Sequence, residues 1–84
     1  MFAKVKSSVF IDALQLELFA PKGNSVKGVL RDDKGSICCT IQKDMEVDEE
    51  KVIWTGLNDL PYGVYTLTLS HEEDEMKMML VKRI

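Results

Sequence analysis

The groups able to do chemistry in this chain lie in two acidic tracts and one pair of adjacent thiols. His71, the sole histidine, stands immediately before Glu72, Glu73, Asp74 and Glu75. An imidazole beside carboxylates is the raw material of general-base catalysis, but that chemistry needs a nucleophile and an orienting group converging on the ring. No Ser, Cys or Asp stands with His71 in such a motif, so a solvated hairpin tip is expected there. The carboxylates at 72–75, with Asp44, Glu46, Asp48, Glu49 and Glu50, are the hard oxygen donors that Ca²⁺ takes. Neither tract has the glycine-punctuated alternation of a calcium loop, and charge runs are usually solvated surface. No metal site and no cofactor are expected.

Cys38 and Cys39 are neighbours on a strand, where successive side chains point to opposite faces, so they cannot easily bridge each other. With no further cysteine there is neither an intrachain disulfide framework nor a zinc quartet. Cys39 reads as core and Cys38 as a semi-exposed thiol; the alternative is an interchain disulfide through Cys38. The chain has no phosphate-cradling glycine loop, no Cys-x-x-Cys and no nucleophile elbow. It is therefore not expected to be an enzyme.

Composition narrows the classes further. Eighty-four residues make a single domain, small but able to fold alone. A hydrophobic share of 45% with 30% charged residues is globular rather than disordered. The net charge is -3, and Lys4, Lys6, Lys22, Lys27 and Lys34 are scattered. That balance argues against a nucleic-acid partner. Apolar runs are too short for direct membrane insertion. The first residues lack the apolar core of a secretory signal. Either the protein is cytoplasmic, or its export signal lies elsewhere in a longer chain.

The elements that must position these groups read as strands. Residues 2–6 form a short first strand, broken by Ser7 and Ser8. Leu14, Leu16 and Leu18 alternate with Gln15 and Glu17, which turns the leucines inward. Residues 21–25 are a turn rich in Pro, Gly and Asn. Residues 26–31 follow as a strand with Val26, Gly28 and Leu30 on one face. Gly28 in mid-strand points to a bulge or to close packing against a bulky neighbour. Asp32-Asp33-Lys34-Gly35 is a tight hairpin turn, with Gly35 taking the positive φ. Residues 36–42 return with Ile37, Cys39 and Ile41 inward. Residues 44–51 read as an acidic loop that could hold a short edge strand at 45–47. Residues 51–55 form a strand with Val52 and Trp54 on one face. Leu57 and Leu60 plug the end of the domain.

The chain closes with a hairpin. Tyr65, Leu67 and Leu69 share its inner face, while Thr66, Thr68 and Ser70 take the other. The second strand starts at Met76 and runs to Ile84. No stretch has a helical period. A short alternating strand followed by a glycine-bearing turn, about every ten residues, is the mark of a two-sheet sandwich. Leu16, Leu30, Cys39, Ile41, Trp54, Tyr65, Leu67, Met78 and Leu80 are the expected core. Phe10, Ile11 and Phe19 fall outside the pattern; they cover a sheet edge or form a docking patch. Open sheet edges make a homodimer plausible.

Two stretches go beyond generic patterning. Residues 26–35 read Val-Lys-Gly-Val-Leu-Arg-Asp-Asp-Lys-Gly, a strand ending in Asp-x-x-Gly. Residues 57–65 read Leu-Asn-Asp-Leu-Pro-Tyr-Gly-Val-Tyr, which is Leu-x-x-Leu-Pro-x-Gly-x-Tyr, and residues 79–83 read Met-Leu-Val-Lys-Arg. From about Asp12 onward the chain resembles the C-terminal sorting domains of the Bacteroidetes type IX secretion system. The Pro-Asn-Pro opening of that family is absent; residues 6–11 are Lys-Ser-Ser-Val-Phe-Ile.

The resemblance implies an all-β, Ig-like antiparallel β-sandwich of about seven strands. It implies structural roles for Asp32, Gly35, Leu60, Pro61, Gly63 and Tyr65, and a recognised end made by Leu80, Val81, Lys82 and Arg83. Lys82 and Arg83 are expected to project from a strand whose inner face is fixed by Met78 and Leu80. The implied partners are the outer-membrane secretion machinery proteins. The implied destination is the cell surface, reached through the periplasm as the C-terminal domain of a longer secreted protein. A few members of that family keep the domain and use it in assembly or signalling. The competing expectation is a stand-alone Ig-like interaction or adhesion module.

Overall fold

Alternation of apolar and polar residues translates directly into strands in the computed structural model, which describes residues 2–83. The strands are β1 (Ala3–Val5), β2 (Val9–Phe10), β3 (Leu14–Phe19), β4 (Ser25–Arg31), β5 (Ile37–Asp44), β6 (Glu49–Trp54), β7 (Gly63–His71) and β8 (Asp74–Lys82). No helix occurs among the described residues. The strands form a three-stranded sheet, β1-β3-β6, and a five-stranded sheet, β2-β8-β7-β4-β5. The fold is the expected all-β, Ig-like sandwich, with eight strands rather than about seven. The chain changes sheet between β1 and β2, β2 and β3, β3 and β4, β5 and β6, and β6 and β7. Only the β4–β5 and β7–β8 pairs are hairpins within one sheet.

The extra strand is β2. Ser7 and Ser8 break the first strand, as expected, and let the chain cross to the other sheet. There Val9 and Phe10 pair in parallel with Val81 and Lys82 of β8. Two residues are too few to show a period of two, which is why the sequence pattern passed over them. Phe10 is buried and meets Tyr65 edge-on, with ring centres 6.0 Å apart. Phe19 is half-buried beneath the Lys4 ammonium, 5.9 Å from the ring centre. Ile11 stays half exposed, at 50%.

The core follows the inward registers. Leu14, Leu16 and Leu18 of β3 and Trp54 of β6 face Val26, Leu30, Tyr65, Leu67, Leu69 and Leu80 across the gap, all buried. Cys39, Ile41 and Met78 are partly buried and pack against this cluster. Ile37 departs from expectation and is exposed. Leu30 pairs with Cys39 but Arg31 pairs with Ile37, so Cys38 is an extra residue in a bulge. The bulge shifts the phase of the strand, and Ile37 turns outward with Arg31. Both thiols rest half-buried against the core. Burial and the nearby Asp32 carboxylate push the Cys38 thiol up, which keeps it protonated and a poor nucleophile. The segment 45–47 is not a strand. Met45 is instead buried, and its backbone is held by Gly23 and Asn24 at 2.9 and 2.8 Å.

Gly28 is a close-packing site rather than a bulge. A methyl group there would come 2.8 Å from Ile41 Cγ2, 3.2 Å from Leu69 Cδ2 and 3.4 Å from Trp54 Cζ3. The indole and two aliphatic side chains occupy the space a side chain would need. Gly28→Ala should lower stability by about 1–3 kcal/mol through overpacking, read as a fall in midpoint in urea unfolding. Adding Ile41→Ala removes the closest clash, so the double variant should lose less than the two single losses together. Full additivity would show that Ile41 does not set the limit at Gly28.

Candidate functional site

The β6–β7 connection must carry the chain from one sheet to the other, and it builds one end of the sandwich. Leu57 plugs that end with no exposed surface, as expected, and Leu60 packs partly buried against the core. The Leu57 amide donates to the Asp12 carbonyl at 3.1 Å, and the Leu60 amide to the Leu57 carbonyl at 3.3 Å. The Tyr65 hydroxyl then donates back to the Pro61 carbonyl at 2.6 Å. This is the tyrosine-corner arrangement of Ig-like sandwiches, in which a Tyr near the start of a strand ties down the preceding connection. Gly63, between them, has φ 140°, a conformation that favours glycine. Leu-x-x-Leu-Pro-x-Gly-x-Tyr is thus one device: a plug, a turn and a hydroxyl tie. Burial, with the nearby Cys38 and Asp32, pushes the Tyr65 phenol up, so it stays a donor.

The Asp-x-x-Gly turn arrives at the same end. Asp32 Oδ1 accepts from the Lys34 and Ser36 amides at 2.9 Å each, and Gly35 takes φ 86°. Asp32, Asp33 and Lys34 line a cleft with Cys38, Pro61, Tyr62 and Tyr65. Two motifs far apart in sequence therefore share one surface.

A groove of about 750 Å³ adjoins it, lined by Val9, Ile11, Tyr62, Gly63, Val81, Lys82 and Arg83. Arg83 is exposed and Leu80 is buried, as expected; Val81 is exposed, and Lys82, expected to project, is buried. Lys82 continues the inward register of Met76, Met78 and Leu80 and pairs with Phe10 and Gly63. Its ammonium donates to the Arg83 carbonyl at 3.0 Å and lies 5.9 Å from the Tyr62 ring centre. This corrects the expectation that Lys82 projects: β8 is still in register there. That strand ends at Lys82, and Ile84, to which the sequence reading extends it, lies outside the described residues.

The opposite end gathers the acidic tracts, and several of its carboxylates are engaged locally. Glu50 accepts from the Glu46 and Val47 amides at 2.6 and 3.2 Å and pairs with Lys43 at 3.1 Å. Asp48 accepts from the Lys22 amide, and Asp44 from Ser25 Oγ at 2.6 Å. Among the described residues no group of His, Cys, Asp and Glu is arranged to hold a metal ion. His71 corrects the expectation of a solvated tip. It is buried at 9%, 2.9 Å from Asn24 Nδ2 and stacked at a tilt on Phe2. Its place in the inward register of Tyr65, Leu67 and Leu69 was the signal. Asn24 also reaches the Glu72 carboxylate at 3.0 Å, so one amide fastens the hairpin tip. No family model matches this chain, and no curated protein is significantly similar to it.

Two outcomes follow from this geometry. Tyr65→Phe removes the hydroxyl tie but keeps the buried ring, and should cost about 1–2 kcal/mol with added mobility at residues 57–63 in amide exchange. An unchanged exchange pattern would show that the plug alone holds the connection. The second concerns acid. Backbone amides and Lys43 hold Glu50 below the ordinary glutamate range, and Ser25 and Gln42 do the same for Asp44. A lowered folded value adds stability above the unfolded carboxylate range and loses it as pH falls. Glu50→Gln should therefore flatten the fall in melting temperature between about pH 5 and about pH 3. A slope equal to that of the parent chain would show that Glu50 contributes nothing to acid unfolding. Glu50 raises Lys43, whose contribution disappears only at alkaline pH.

Proposed function

We propose that this domain is a non-catalytic sorting module of the type IX secretion kind, recognised by outer-membrane translocation machinery at the end that carries Tyr62, Val81 and Arg83. The reading rests on the resemblance in the Asp-x-x-Gly, Leu-x-x-Leu-Pro-x-Gly-x-Tyr and terminal basic segments. One observation carries it: these three segments, spread over some fifty residues of sequence, meet on one contiguous end of the sandwich. The pairing of β4, β7 and β8 brings them there, with Arg31 opposite Thr66 and Gly63 opposite Lys82. Asp32, Gly35, Leu60, Pro61, Gly63 and Tyr65 act as the frame. Val81 and Arg83 act as contacts, and Lys82 acts from within the groove. The domain would serve as the C-terminal part of a longer exported chain, carried through the periplasm to the cell surface.

Transfer of this domain to a periplasmic reporter in a type IX-competent cell tests the reading. The fused reporter should reach the surface, and the reporter alone should not. Arg83→Glu with Val81→Lys should strand a folded fusion in the periplasm, since substitutions at exposed positions cost only about 0–1 kcal/mol of stability. Failure of the intact domain to export the reporter would instead favour a stand-alone Ig-like interaction module.

A further inference from the structure

The groove beside β2 and β8 combines two properties that ordinary solvated surface keeps apart. Its walls are apolar and open, with Val9 at 42%, Ile11 at 50%, Tyr62 at 65% and Val81 at 38% exposure. It is also lined by a lysine that is only 3% exposed. A buried ammonium is costly unless it is paired and hydrogen-bonded. Lys82 has one hydrogen bond, to the Arg83 carbonyl, and the face of the Tyr62 ring. An ammonium carries three donors, and among the described residues no carboxylate pairs with this one. Arg83, an exposed cation, lines the same groove. Charge and shape together ask for an anion carried on an apolar body.

The strand at the groove decides what kind of body. β2 is the last strand of its sheet and pairs with β8 on one side only. The β8 side takes the Ser8 and Phe10 carbonyls, at 2.8 and 2.9 Å from the Val81 and Arg83 amides. The other side carries no ladder among the described residues; there the Val9 amide donates to Ser7 Oγ at 3.2 Å, and an edge of this kind accepts an extended peptide through its main chain while neighbouring pockets read alternate side chains.

We propose that this groove binds an extended acidic and apolar polypeptide segment, which adds to the free edge of β2, lays apolar side chains on Val9, Ile11 and Val81, and sets a carboxylate on Lys82 and Arg83. The inference rests on the recognition end proposed above and names the chemistry of its partner. An anionic lipid shares the charge and the apolar body but has no main chain to match a strand edge.

The test is selection of random heptapeptides displayed on phage against the immobilised full chain, followed by synthesis of the enriched peptide. Enriched peptides should alternate Asp or Glu with Val, Ile, Phe or Tyr. The synthetic peptide should shift the amide resonances of Val9, Ile11, Tyr62, Val81 and Arg83. Lys82→Gln should weaken it by about thirtyfold, the effect of stripping one partner from a buried charge pair. Ile11→Asp and Arg83→Glu, both at exposed positions, should abolish binding while leaving the melting temperature unchanged, which keeps the test decisive if Lys82→Gln fails to fold. Enrichment of basic or uncharged peptides, shifts elsewhere on the molecule, or binding of phosphatidylglycerol vesicles in place of peptide would overturn the proposal. Export of the reporter with no peptide selected would remove this inference and leave the sorting role. Peptide binding by a chain that exports nothing would do the reverse.

Discussion

Everything at the end of the sandwich that holds the groove depends on how the chain gets from β6 to β7. The two strands lie in different sheets, so the connection must pass across the open end of the hydrophobic core. An unsupported loop there would let water reach Trp54 and Tyr65. Leu57 seals the end by burial, and the bond from the Tyr65 hydroxyl to the Pro61 carbonyl fixes the span between plug and strand. Tyr62 and Gly63, held inside that span, become walls of the groove. A buried phenol with its one donor satisfied costs little, whereas a lost bond leaves a polar group stranded beside the core. The same tie therefore serves stability and surface shape.

The sandwich is electrically lopsided. Its acidic tracts sit together at the end where the β7–β8 hairpin turns, and three of their carboxylates, Asp44, Asp48 and Glu50, are held by short-range contacts with Ser25, a backbone amide, and backbone amides with Lys43. These contacts turn a carboxylate-rich loop into a closed one. The far end has Lys82 and Arg83 set among apolar side chains, without such neutralisation among the described residues. Groups that are locally satisfied have little left to offer a partner; groups that are not do.

Much of this was legible in the sequence. The strict alternation of Leu14, Leu16 and Leu18, and of Tyr65, Leu67 and Leu69, carried the strand registers. The turn residues fixed both hairpins. The failures share a cause. Lys82 and His71 stand in phase with inward-facing neighbours, yet a charged or polar residue at a strand end reads as solvated. The period was the better guide, because a strand does not change phase at its last residue. Ile37 failed in the opposite way: the period was followed across a bulge that only the pairing with Leu30 and Arg31 reveals. β2 lies below the length at which a period exists, and its partner β8 is seventy residues away. Nothing local could announce it.

That parallel pair has a mechanical meaning. Tension applied to the chain ahead of β2 and beyond β8 would draw the two strands in opposite directions along a common axis. The bonds from Val81 to Ser8 and from Arg83 to Phe10 cross that axis, so they would carry the load together rather than open one after another. A hairpin pulled at its two ends unzips bond by bond; this junction must shear. Between these two points the sandwich would resist a pull that would peel a hairpin apart.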